Sequence, residues 1–118
     1  MIIENKALVF HPENIEIGNH AYAGHQTILE GYYKNKMIIE EDVWIGKQCF
    51  LHSAGGIHIE ANAGIGPGVK ILTSAHTYSD PKKPIMQQSL EMKRVLIGEG
   101  PDIGVGAVIL PGVILEKV

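Results

Sequence analysis

The chain has 118 residues, enough for one domain. Its hydrophobic fraction of 45% with only 6% aromatics suits a narrow aliphatic core, and a net charge of −3 gives no basic face for nucleic acid. A single cysteine, Cys49, excludes an intramolecular disulfide and a cysteine zinc cluster, while the early charges of the N-terminus and the lack of a long apolar run argue for a cytoplasmic protein rather than a secreted or membrane one.

Residues 1–14 follow no clear period, and Ile2, Ile3, Leu8, Val9 and Phe10 are expected to cover the open end of the first regular coil. From Ile17 a repeat of six residues sets in, seen in Ile17-Gly18-Asn19-His20-Ala21-Tyr22 and Ala23-Gly24-His25-Gln26-Thr27-Ile28. It returns from Ile39, from Ile59 and from Ile97. An aliphatic residue opens nearly every unit, Gly or an acid usually follows, and a small or β-branched residue stands fifth. This period predicts an all-β solenoid, a parallel β-helix in which three hexads make one triangular coil. First positions are expected inside, together with the fifth-position residues Ala21, Thr27, Val43, Cys49, Ala63, Val69, Ala107 and Val113. Glycine at the second position suits a corner that a Cβ would crowd.

The register breaks in three places. Leu29 and Ile39 are ten residues apart, Leu51 and Ile59 eight, and Ile71 and Ile97 twenty-six, where six would do. The last break makes residues 73–94 an excursion loop with no helical stripe, expected to be unstructured and functional because a long loop in a compact domain is seldom idle. The domain is therefore read as a single β-helix over 1–118, with a cap at 1–14, a loop at 73–94 and a last coil, opened at Leu115, that is incomplete and wants a further coil or a partner surface over it.

His76 stands where the chain leaves the coil, held by the stack on one side and open to the loop on the other. An imidazole there suits a general base near neutral pH; position alone leaves a polar corner histidine without a role as the alternative. Asp80, Glu91 and Asp102 are near enough in sequence to orient it.

The run from Ile57 to His76, with Ile65-Gly66-Pro67-Gly68-Val69-Lys70-Ile71-Leu72-Thr73-Ser74-Ala75-His76, resembles the core of hexapeptide-repeat O-acetyltransferases of the maltose and galactoside acetyltransferase type. The run from Val95 to Val113, with Ile103-Gly104-Val105-Gly106-Ala107-Val108-Ile109-Leu110-Pro111-Gly112-Val113, is similar to that family as well. The resemblance implies a left-handed β-helix, a homotrimer with sites between subunits, acetyl-CoA as donor, a sugar or related hydroxyl compound as acceptor, and His76 as base. It carries Gly104, Gly106 and Ala107 over as contacts for the pantetheine arm. Glu30 falls near the acidic contact to the acceptor, though the hexad also permits a plain second-position acid there. Asp102 is a further candidate contact to the substrate; it stands where the family commonly has an aromatic residue, and the only tryptophan, Trp44, lies in an earlier coil. The family's basic contacts to the CoA phosphates have no counterpart positions.

Six histidines on such a solenoid open a second class. The γ-class carbonic anhydrases share the fold and bind zinc through histidines across a subunit interface. His20 and His25 are five apart and His52 and His58 six apart, with His11 upstream, but His20 and His25 fall on different sides. On the acetyltransferase reading no metal is expected. A third class is a non-catalytic trimeric scaffold.

Overall fold

A computed structural model describes residues 1–117, which wind through five stacked coils with one short strand on each of three sides. The first coil holds β1 (Ile2–Ile3), β2 (Leu8–Phe10) and β3 (Ile15–Ile17); the second holds β4 (Tyr22–Ala23), β5 (Ile28–Glu30) and β6 (Met37–Ile39). The third holds β7 (Trp44–Ile45), β8 (Phe50–His52) and β9 (Ile57–Ile59). The fourth runs through β10 (Gly64–Ile65) and β11 (Lys70–Leu72), leaves by β12 (Ser74–His76), returns by β13 (Leu90–Met92), and closes with β14 (Val95–Ile97). The fifth holds β15 (Asp102–Ile103), β16 (Val108–Ile109) and β17 (Ile114–Leu115).

Strands of equal place in successive coils pair in parallel and make three five-stranded faces: β1-β4-β7-β10-β15, β2-β5-β8-β11-β16 and β3-β6-β9-β14-β17. This is the all-β parallel solenoid expected from the hexads, consistent with the left-handed β-helix that the resemblance implies. Residues 1–14 lie in the stack itself: β1 and β2 pair with β4 and β5 as the first two sides of the first coil. The fifth coil has a strand on each of its three sides.

The interior is one column. Leu29, Ile45, Leu51, Ile59, Ile65, Ile71 and Ile97 are fully buried first-position residues. Each stabilises by roughly 1.5–3 kcal/mol relative to an exposed side chain. Fifth positions 21, 27, 43, 49, 63 and 69 are buried as expected, and Ala107 and Val113 pack half-buried against the same column. The two polar members find partners inside: the Thr27 hydroxyl donates to the Gly46 carbonyl at 2.7 Å and accepts the Cys49 N–H at 3.2 Å. The Cys49 thiol donates to the Gly66 carbonyl at 3.2 Å.

The reason for second-position glycine differs from the sequence expectation. Corner crowding is not the cause; the next coil is. A Cβ on Gly24 would lie 2.6 Å from the backbone N of Lys47, one coil on, and one on Gly46 would lie 2.7 Å from that of Pro67. The tight bend falls at the fourth position, where His20, Gln26, Asp42, Gln48 and Asn62 hold φ of 57–65° and Gly68 and Gly106 hold 73°.

All three register breaks fall on one edge of the prism, the edge between the second and third faces. Residues 31–36 and 53–56 turn that edge in the second and third coils, and 73–94 turns it in the fourth. The turns are stacked by side chains: Asn14 donates to the Tyr32 carbonyl and Asn35 to the Ala54 carbonyl, both at 2.7 Å. The 73–94 excursion is not an unstructured loop. β12 and β13 pair antiparallel, with Ser74 opposite Met92, Ala75 opposite Glu91 and His76 opposite Leu90. A single 3-10 turn, Ile85–Gln87, shapes the far end.

Candidate functional site

His76 is the last residue of β12 and half-buried. Strand pairing with β13 brings Gln88 alongside, and the His76 Nδ1 lies 3.1 Å from the Gln88 main-chain oxygen. A carbonyl oxygen only accepts, so Nδ1 carries a proton, and in the neutral ring it is Nε2 that holds the lone pair. That is the state a general base needs before reaction. Asp80, Glu91 and Asp102, the sequence candidates for orienting the ring, do not hold it; a main-chain carbonyl does. The other five histidines differ in kind, because each meets a carboxylate: His11 with Glu13 at 3.0 Å, His20 with Asp42 at 3.7 Å, His25 with Glu4 at 3.2 Å, His52 with Glu30 at 3.1 Å, and His58 with Glu40.

The ring borders an open groove of about 600 Å³, lined by Ala75 to Ser79 on the outgoing strand, Glu91 and Lys93 on the return, and Leu110 and Pro111 of the fifth coil. The volume falls in the range of small-molecule sites. Glu91 and Lys93 form an ion pair at 3.0 Å across one side of the groove. Leu110 is 58% exposed, so the groove has an apolar wall that water now wets. Next to His76, the Thr77 hydroxyl is buried and has no hydrogen-bond partner.

Glu30 ends β5 on the same edge, two coils below β11, and pairs with His52 rather than facing His76. With Phe10, His11, Gly31, Tyr32 and His52 it lines a separate hollow of about 260 Å³. Gly104, Gly106 and Ala107 lie elsewhere: they turn the edge between the first and second faces, from β15 to β16. There a Cβ on Gly104 or Gly106 would have nothing within 4 Å. Asp102 faces outward on the first face, in register with Gly64 and, one coil further down, with Trp44. Trp44 stacks on Tyr22 with centroids 5.7 Å apart. Within one chain, then, the structure brings none of Glu30, Asp102, Gly104, Gly106 and Ala107 into the His76 groove.

Sequence reasoning missed Gln88, whose only signal was a glutamine amid a polar stretch, and the Glu30–His52 pair, whose 22-residue spacing is one coil plus the four extra residues of 31–36. Among the described residues no group of three or more His, Cys, Asp or Glu side chains is placed to hold a metal ion, and no helix is long and apolar enough to cross a membrane.

No protein-family model and no curated relative matches the chain. Solved structures do. A variant of AntD, an N-acyltransferase from Bacillus cereus, in complex with dTDP-4-amino-4,6-dideoxyglucose and coenzyme A superposes with a TM-score of 0.81 at 24% identity, over 95% of this chain and 61% of that one. A second variant, in complex with dTDP and coenzyme A, gives 0.79 at 22% identity over 95% and 64%. AntD with dTDP and 3-hydroxybutyryl-CoA gives 0.74 at 21% identity over 98% and 66%. The likeness shows that the chain has the same fold. The chain spans less than two thirds of the length of these proteins.

Proposed function

We propose that the chain is an acyl-CoA-dependent acyltransferase, moving an acetyl group from acetyl-CoA to a hydroxyl of a sugar or related acceptor, with His76 as the general base. The observation that supports this reading is the imidazole itself: Nδ1 is engaged by the Gln88 carbonyl, which leaves Nε2 as the acceptor of the neutral ring, and the residue lines a groove. Nε2 takes the proton of the acceptor hydroxyl as its oxygen attacks the thioester carbonyl carbon. The tetrahedral oxyanion collapses, the carbon–sulfur bond breaks, and the leaving thiolate recovers the proton from the imidazolium. Backbone N–H groups at the corner are suited to the oxyanion.

The active form is a cytoplasmic homotrimer on this reading. A trimer supplies what one chain lacks, because the Gly104–Ala107 edge of one subunit and the His76 edge of its neighbour can border a shared cleft. In that cleft Gly104, Gly106 and Ala107 admit the pantetheine arm, and Glu30 and Asp102 contact the acceptor. The test is thiol release from acetyl-CoA with a panel of sugars, using the wild-type chain and His76→Ala. Acceptor-dependent release that falls roughly 100- to 10,000-fold in the variant is expected; equal rates remove His76 from the mechanism. Amine acceptors form a second reading, favoured by the nucleotide-linked amino sugar and coenzyme A held by a solved protein of this fold. The panel therefore includes amino sugars, and release with amines alone decides for nitrogen over oxygen. No release with any acceptor favours the scaffold.

A further inference from the structure

Beyond Thr73, which stacks on the coil below, Gln88 is the buried polar residue of the excursion, at 8% exposed; Thr27 and Ser53 belong to the stack. Its amide is fully engaged. Nε2 donates to the Asp80 carbonyl at 2.6 Å and to the Lys83 carbonyl at 3.1 Å, and Oε1 accepts the Asp80 N–H at 3.4 Å. The same residue's main-chain oxygen accepts the His76 Nδ1–H. Gln88 thus ties the outgoing limb of the hairpin to the incoming one, and its own carbonyl is what fixes the imidazole. The neighbouring cross-links agree: Asp80 also accepts the Lys82 N–H through Oδ1 at 3.0 Å, and Thr77 N–H donates to the Ser89 carbonyl at 2.9 Å.

We infer that Gln88 is a positioning residue: its side-chain amide clamps the turn at residues 80–83, and through that clamp its carbonyl holds His76 in the Nδ1–H tautomer that leaves Nε2 free. Without the two donated bonds, residue 88 can rotate about its backbone, and the carbonyl no longer faces Nδ1. The ring then exchanges tautomers, and the fraction able to accept a proton at Nε2 falls. Ligand entry couples to the same element, because Ser79, which lines the groove, directly precedes the clamped turn.

The inference rests on the acyl-transfer reading only for its kinetic half. Two variants isolate the clamp. Gln88→Glu keeps the shape and removes both donors; Gln88→Met keeps the volume and removes every polar atom. The first measurement is the ¹H–¹⁵N ring correlation spectrum of His76 on the full chain, without substrate. Wild type is expected in the Nδ1–H form, and both variants in a mixture with Nε2–H. The second is acetyl transfer, where kcat is expected to fall roughly 10- to 100-fold, with a smaller change in KM for acetyl-CoA. An unaltered tautomer in either variant overturns the clamp, as does a Met variant with wild-type kcat, which would mean that Gln88 only fills space. If the tautomer shifts in both variants while no acceptor supports transfer in wild type, the acyltransferase reading fails and the positioning role stands.

Discussion

Cys49 sits where hexad and chemistry meet. At a fifth position it is buried in the column, and burial pushes its thiol above the ordinary value, against the opposing pull of the Val69 and Gly68 N–H groups and the Thr27 hydroxyl. A raised value in the folded state means the fold binds that proton more tightly than the unfolded chain does. The contribution is therefore fully present below the unfolded cysteine value, about 8.5, and is lost as pH rises through the folded one. The urea midpoint of wild type is expected to fall with pH above roughly 9 more steeply than that of Cys49→Ala; identical slopes would contradict it. Thr77 poses the opposite case, a buried hydroxyl with no partner. Thr77→Val keeps the shape and removes the unmet group, so amide exchange in the hairpin is expected to slow by an amount equal to about 1 kcal/mol. Cys49 was legible because position in a hexad dictates inward or outward. Thr77 and Gln88 were not, because polar burial in an excursion depends on where the returning strand lands.

At the level of the coil, glycine reports contact between neighbours rather than freedom of the chain. A Cβ on Gly24 meets the Lys47 backbone N at 2.6 Å and the Gly46 carbonyl carbon at 2.8 Å, atoms that move only if two coils part. Gly104, also at a second position, has nothing within 4 Å of that point. Gly24→Ala is expected to cost about 1–3 kcal/mol of unfolding free energy, and Gly104→Ala about 0.5 kcal/mol or less. Denaturant titration of both checks the pair, and equal costs would return the explanation to local backbone geometry. The hexad revealed which residues repeat but not why. It also misjudged β12 and β13, because a three-residue strand such as Ser74-Ala75-His76 is too short for period-two alternation to stand out from loop sequence. Their pairing is decided by antiparallel return of the chain, a contact across 14 or more residues that composition does not reveal.

Taken whole, the molecule separates a regular body from an irregular edge. Each coil touches mainly its neighbours, so the stack behaves as a one-dimensional array into which an excursion can be inserted without altering the strands. The sequence made the body readable and also located the insertions; three hexads lie between successive breaks, which is why residues 31–36, 53–56 and 73–94 share one edge while Gly104 and Ala107 occupy a different one. The same geometry makes the excursion separable. The edge is turned by four residues at 53–56, Ser-Ala-Gly-Gly, and the Ser53 N–H donates to the Glu30 carbonyl at 3.1 Å in the coil below. In the fourth coil Thr73 fills the matching place: its hydroxyl donates to the His52 carbonyl at 2.7 Å and accepts the Gly55 N–H at 2.8 Å. Replacing 73–94 by Ser-Ala-Gly-Gly therefore keeps a hydroxyl at the first residue and joins β11 to β14 by a turn this chain already uses. Shortening the connection from 22 residues to four lowers the closure entropy by roughly 1–2 kcal/mol, which offsets the loss of the hairpin's own contacts. The shortened chain is expected to retain its β circular dichroism and a single cooperative melt within about 8 °C of wild type, and to lack the proposed acyl transfer together with His76. A broad or absent melt would show that the hairpin is part of the body, and that stacking of coils does not by itself hold this solenoid together.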